Sequence, residues 1–160
     1  MIDANDLVSK FRQINIDSIY SSPYLRAIST VKPIAEAKKT AIVIRENFKE
    51  RLSGTPWIDD QMCLETFIGK MWSNIDKSPD GGESIKDLRK RNITELEIVL
   101  KENKDKTIIV GTHGTALASI ISNYNKSFIG NDFMKFINVM PYIIKMKFLS
   151  TNQVEMDQGI

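Results

Sequence analysis

Thr107-Ile108-Ile109-Val110 is an almost unbroken β-branched, apolar run. A strand with one wet face alternates apolar and polar side chains, and this run does not. It therefore reads as a strand buried on both faces, of the kind found in a parallel sheet with helices above and below. Residues 16–20 and 40–45 read as further short β-rich strands, and helices are expected over residues 5–14, 24–39, 84–103 and 115–124. Strands alternating with helices predict an α/β fold with a largely parallel sheet.

Local signals place the boundaries. Ser22 and Pro23 suit the cap and first position of the 24–39 helix, Pro33 predicts a kink or an early end in it, and Ser84 followed by Asp87 resembles a capping box. Residues 46–57 are polar, carry Gly54 and Pro56, and read as an exposed loop. From 59 to 74 the side chains Met62, Phe67, Ile68, Met71 and Trp72 recur at three and four, which predicts an inserted helix with its apolar stripe in the core. After a polar loop, residues 142–149 alternate as a final strand near a sheet edge does.

With 160 residues, 42% hydrophobic and 26% charged, the chain fits one domain spanning residues 1–160. Its 22 basic and 20 acidic residues leave a net charge of +2, too small a field to hold nucleic acid or an anionic membrane, so any selectivity for anions has to be local. Cys63 is the only cysteine and sits among Met62, Leu64 and Phe67. That fits a buried thiol and a reducing, cytoplasmic setting. The N-terminus shows no export signal, and no window approaches the roughly 18 consecutive apolar residues of a membrane span.

Ligands of open α/β sheets bind outside the carboxyl ends of the strands. Two strand-to-helix turns carry chemistry there. In Tyr20-Ser21-Ser22-Pro23-Tyr24-Leu25-Arg26, Arg26 falls in the first helical turn, where the dipole favours an anion; it reads either as a two-pronged phosphate clamp or as a solvated surface arginine. In Val110-Gly111-Thr112-His113-Gly114-Thr115, the only histidine of the chain follows the most buried-looking strand and is flanked by glycines that permit close ligand approach. A protonated His113 beside Arg26 would form a positive pocket for a phosphoryl group.

Two rival chemistries compete with that reading. A serine hydrolase would use Ser22 or Ser119 with His113 as base, but no Gly-x-Ser-x-Gly elbow is present. A metal site is not supported, because one His and one Cys among scattered carboxylates show no ligand spacing, and Gly81-Gly82 lacks the Gly-Lys-Ser/Thr of a phosphate loop. Glu46, Glu50 and Arg51 lie on the loop after residues 40–45; loop charges are commonly just solvated, yet a carboxylic acid facing an anion pocket is what a phosphate monoester needs to protonate its leaving oxygen.

Taken together, Asp17-x-x-Tyr20-Ser21-Ser22-Pro23-x-x-Arg26-Ala27-x-x-Thr30, Gly81-Gly82-Glu83-Ser84 and the strand ending in His113-Gly114 resemble the three later sequence blocks of the histidine phosphatases, or phosphoglycerate mutase-like proteins, in the same order. The resemblance implies a three-layer α/β/α fold with a mainly parallel sheet and residues 57–80 inserted as a lid. It implies a phosphohistidine whose phosphoryl group passes to water, as in a phosphomonoesterase, or to a second substrate hydroxyl, as in a mutase, without metal or cofactor, and a small phosphorylated substrate or inorganic phosphate as ligand. Arg26, Ser22 and Gly114 would bind the phosphoryl group, His113 would stabilise it, and Glu50 would be the proton donor.

The family's nucleophile lies in an Arg-His-Gly motif on a first, central strand, and the 160 residues contain neither that motif nor a second histidine. The expectation is therefore a domain lacking that strand at its N-terminal end and inert by itself. Unpaired backbone beside the strand ending at His113 would destabilise the domain or recruit a neighbouring copy into a homo-oligomer. A non-catalytic phosphate-ester-binding or oligomerisation module stays open as the alternative.

Overall fold

The computed structural model describes residues 4–54, 64–128, 130–137, 139–150 and 153–158. In chain order these form α1 (Ala4–Phe11), β1 (Ser18–Ser21), α2 (Leu25–Lys38), β2 (Ile42–Ile44), a 3-10 turn (Glu46–Phe48), α3 (Leu64–Ser73), α4 (Ile85–Glu102), β3 (Ile108–Gly111), α5 (Gly114–Tyr124), α6 (Gly130–Phe136), β4 (Ile144–Ser150) and β5 (Gln153–Gln158). The chain is α/β, as expected. β1 lies between β2 and β3 and is parallel to both, with Ile19 opposite Ile42 and Ile109.

The two faces of β1 define the layers. Ile19 is fully buried against Leu7, Phe11, Val31 and Ile34 of α1 and α2, while the next residue, Tyr20, turns the other way onto Phe48, Leu96, Val99 and Ile120. The period of two along a strand therefore sends neighbouring residues into opposite helix layers. α4 starts where the capping signal put it: Ser84 Oγ accepts from Asp87 N–H at 3.0 Å and donates to the Asp87 carboxylate at 2.7 Å.

Several expectations are corrected. Ser22 does not cap α2; Tyr24 occupies the cap position without a side-chain bond of its own, and the Ser22 hydroxyl accepts from Tyr24 N–H just before the helix. Pro33 does not end α2, which continues to Lys38 and closes with Lys39 at φ 53, its N–H on the carbonyls of Ala35 and Glu36. The exposed loop expected over 46–57 begins as a 3-10 turn with Phe48 wholly buried and Arg51 9% exposed; residues 55–63, with Cys63 and the first part of the expected lid, lie outside the described residues. The polar stretch after α5 contains α6. Among the described residues β4 pairs antiparallel with β5 and with no strand of the parallel sheet.

The largest correction concerns β3. The run read as buried on both faces leaves Ile108, Ile109 and Val110 only half-buried, because β3 has the unpaired side that was expected beside the strand ending at His113: β1 pairs with one side of it and no described strand pairs with the other. Among the described residues β4 also has one unpaired edge. Both strands feed one apolar cluster, Ile108 and Val110 with Met146 and Phe148 on the α4–α5 side, while Ile143, just before β4, joins Ile109 on the α1–α2 side.

Candidate functional site

Ser21 stands opposite Gly111 at the carboxyl ends of β1 and β3, and the Ser22 N–H donates to the Gly111 carbonyl at 2.8 Å. Both strands then lead into helices, so Ser22, Tyr24 and Arg26 from one turn meet His113 from the other. Gly111 is needed for this. A Cβ there would lie 2.9 Å from Val31 Cγ1 and 3.2 Å from the Ala27 carbonyl, so its missing side chain makes room for α2 rather than for a ligand.

His113 caps α5 with its backbone and is 7% exposed. Arg26 Nε donates to its Nδ1 at 3.0 Å, and its Nε2 lies 2.7 Å from Ser22 Oγ, which also accepts from Tyr24 N–H. An arginine is always a donor, so Nδ1 is bare and the ring proton sits on Nε2, donated to Ser22. Tyr24 tilts over the imidazole at 5.2 Å between centroids and carries the Arg26 guanidinium on its ring at 5.0 Å. The terminal nitrogens of the exposed Arg26 have no acceptor among the described residues, which leaves the guanidinium fork open.

This arrangement corrects the expectation of a protonated histidine. Burial, the Arg26 charge and the Arg91 charge hold the His113 pKa down to about 4, so the ligand-free ring is neutral near pH 7. It also counts against the serine hydrolase. A base must present a bare nitrogen to the serine, whereas here that nitrogen carries the proton and the other faces a cation instead of a carboxylate. Ser119 is fully buried within α5 and donates to the Ala116 carbonyl.

Glu50 reaches the same turn from the other side. Its carboxylate accepts from Arg51 N–H at 2.8 Å and from Thr115 N–H, in the first turn of α5, at 3.3 Å. Thr112 Oγ1 donates to the Phe48 carbonyl at 2.8 Å, tying the 3-10 turn to the end of β3. Arg51, whose guanidinium burial lowers its pKa, donates to the carbonyls of Leu52 and Glu83. Gly114 starts α5, with the Phe133 ring of α6 at ordinary contact distance from where a Cβ would be. Tyr24, Thr112, Glu83 and Arg91 were not singled out as site residues from sequence; Tyr24, Thr112 and Glu83 lay inside quoted motifs, and Arg91 left no signal there.

Among the described residues no group of three or more His, Cys, Asp or Glu side chains is placed to hold a metal ion, and no helix is long and apolar enough to cross a membrane. A cavity of about 470 Å³ lies between α1 and α2, lined by Val8, Arg12, Ile34 and Lys38, away from these groups. Lys38 is committed there to the carbonyls of Arg12 and Ile14. The assignment of the site to the ends of β1 and β3 rests on the chemistry gathered there, not on a concavity.

The model of the histidine phosphatase superfamily, branch 1, matches residues 1–134. Among solved structures, the phosphoserine phosphatase of Entamoeba histolytica, as a histidine-to-alanine mutant in complex with phosphoserine, is 26% identical, with 96% of this chain and 77% of that chain covered and a TM-score of 0.74. The mycobacterial glucosyl-3-phosphoglycerate phosphatase in complex with inorganic phosphate is 17% identical over 96% and 80% of the two chains, with a TM-score of 0.67. Bacillus stearothermophilus YhfR is 15% identical over 97% and 79%, with a TM-score of 0.69. No curated protein sequence matches. A family match over most of the sequence, and neighbours whose folds align with 96% or more of it, agree: the chain belongs to the histidine phosphatase superfamily, branch 1.

Proposed function

We propose that this chain carries the phosphate-recognition and proton-donor half of a phosphomonoesterase site, acting on a small phosphorylated substrate in the cytoplasm. The observation that carries this reading is the Arg26–His113 pair, 3.0 Å apart at the carboxyl ends of adjacent parallel strands, with the arginine fork open to solvent. Arg26 clamps two phosphoryl oxygens. The Nε2–H of His113 turns from Ser22 to a third oxygen, the Ser22 hydroxyl and the Gly114 amide complete the cradle, and Glu50 delivers the proton to the leaving alcohol.

Turnover in this family's manner needs a second histidine. Its nitrogen bonds to phosphorus as the bond to the alcohol oxygen breaks, the alkoxide takes the Glu50 proton, and water then cleaves the phosphorus–nitrogen bond to give phosphate while Glu50 regains a proton. The one histidine of the 160 residues is already part of the cradle. In this reading the nucleophile comes on a strand carrying Arg-His-Gly from outside these 160 residues, docked between the unpaired edges of β3 and β4. Support comes from the apolar cluster shared by the two strands across that interval. The Entamoeba phosphatase with one histidine changed to alanine was solved in complex with phosphoserine, which supports a small phosphorylated ligand for this site.

The test is to titrate the 160-residue chain with inorganic phosphate and with phosphoserine, following its single histidine by NMR, and to assay p-nitrophenyl phosphate hydrolysis with and without a peptide bearing the Arg-His-Gly strand. Saturable binding lost in Arg26→Ala, with hydrolysis only when the strand is supplied, is the expected result. Binding without hydrolysis in both cases would make the chain a phosphate-ester-binding module. Hydrolysis by the chain alone would remove the need for a second histidine.

A further inference from the structure

Every N–H of the Arg91 guanidinium is used, and none of them points at the phosphoryl cradle. Nε and one terminal nitrogen grip both oxygens of Glu83 at 2.6 and 2.8 Å, the other terminal nitrogen donates to the carbonyls of Asn47 and Lys49 at 2.6 and 2.9 Å, and a final bond at 3.1 Å reaches the carbonyl of Glu50 itself. The segment that bears Glu50 has little regular structure of its own, only the three residues of the 3-10 turn. Left to itself such a segment samples many backbone states, and the carboxylate would sample them with it.

Glu83 completes the clamp. It lies on the turn that leads into α4, and that turn is joined to the Glu50 segment by its own backbone: Glu83 N–H donates to the Leu52 carbonyl at 2.9 Å and Arg51 donates to the Glu83 carbonyl at 3.0 Å. Both partners of the pair are mostly buried, with side chains 18% and 16% exposed, so the geometry is held in a place where an unpaired charge would be costly.

We propose that Arg91 is the positioning residue of the site: anchored on α4 by Glu83, it fixes the 46–51 segment so that the Glu50 carboxylate meets the first turn of α5 beside His113. The proposal rests on the reading of Glu50 as the proton donor. Lysine cannot take its place, because a single ammonium cannot span a carboxylate and three carbonyls lying in different directions. The same cation also biases His113 toward its neutral form, together with Arg26, while Glu50 is the carboxylate on the facing side.

The experiment uses the full chain and two probes that need no turnover, the Thr115 amide and the single histidine. In the parent protein Glu50→Gln shifts the Thr115 amide resonance, since that amide bonds the carboxylate. In Arg91→Lys the same Glu50→Gln change is expected to leave Thr115 unmoved, with phosphate binding retained, and Glu83→Gln should give a weaker form of the same loss. Arg91→Gln should in addition raise the His113 pKa, whereas Arg91→Lys should not. If Thr115 still responds fully to Glu50→Gln in Arg91→Lys, or in Glu83→Gln where Arg91→Lys does not fold, the proposal is overturned. Loss of phosphate binding in the unsubstituted chain overturns instead the function on which it rests.

Discussion

The hydrogen bond from Arg26 Nε to His113 Nδ1, 3.0 Å long, exists only while the imidazole is neutral. Protonation puts a second donor on Nδ1, facing a cation, so the two residues share a state that acid destroys. With burial as the main cause and the Arg26 and Arg91 charges adding to it, the ring titrates near pKa about 4 against an unfolded value near 6.5. Below 6.5 the unfolded chain takes up the proton first, so this contribution to stability is present above about pH 6.5 and is lost as pH falls toward 4. Its full size is at most about 3 kcal/mol. Urea unfolding at several pH values, compared with His113→Gln, should show the parent losing its advantage across that window; a difference independent of pH would contradict the buried neutral ring.

A bound phosphate reverses the sign. A dianion beside the ring favours imidazolium and outweighs the arginines that it also engages, so the His113 pKa should rise on binding and phosphate uptake should carry a proton with it near pH 6. Parallel NMR titrations with and without phosphate measure the shift. An unchanged pKa at saturating phosphate would place the anion away from His113.

Arg26 acts through the shape of its fork as well as its charge. Arg26→Lys keeps the cation but loses the bidentate grip and the Nε bond to His113, so phosphate affinity should fall by roughly tenfold or more, the loss of one charge-assisted hydrogen bond or somewhat more. Calorimetric titration of the two proteins checks it. Equal affinities would mean that Arg26 is the solvated surface arginine that its local sequence also allowed.

The parts of the site carried by strand ends were legible in the sequence, because Ser22, Arg26 and His113 lie within five residues of the strands that position them. Arg91 was not. Arg91 lies on the polar side of a helix, where charges are ordinarily solvated, and what sets it apart is three carbonyls of a segment more than 40 residues away. The burial of β3 was misread for a related reason. A run of β-branched residues reports the environment a strand suits, and the described chain supplies a neighbour on only one side of it. Phe48 shows the converse, since a single aromatic residue in a polar stretch gives no periodicity, yet it plugs the α4 side of the sheet completely.

Phe48 should accordingly be among the most damaging single positions to truncate. Phe48→Ala opens a cavity beneath Tyr20 and Leu96 and is expected to cost ~3–5 kcal/mol. Denaturant unfolding measures that directly, and a loss below about 1 kcal/mol, the scale of an ordinary surface change, would mean that the 3-10 turn is not docked as described.

The unpaired edge of β3 makes a prediction at single amides. In a parallel ladder both backbone groups of one residue face one neighbour and those of the next residue face the other. The Gly111 carbonyl accepts from Ser22 N–H, which places Gly111 and, two residues earlier, Ile109 toward β1. Ile108 and Val110 then present their amides to the open side. Hydrogen exchange on the 160-residue chain should be fast at Ile108 and Val110 and slow at Ile109, and a docked strand should slow the first two without altering the third. Equal protection at all three positions in dilute monomeric protein would mean that the edge is already covered, and the strand proposed to bring the nucleophile would have no place to bind.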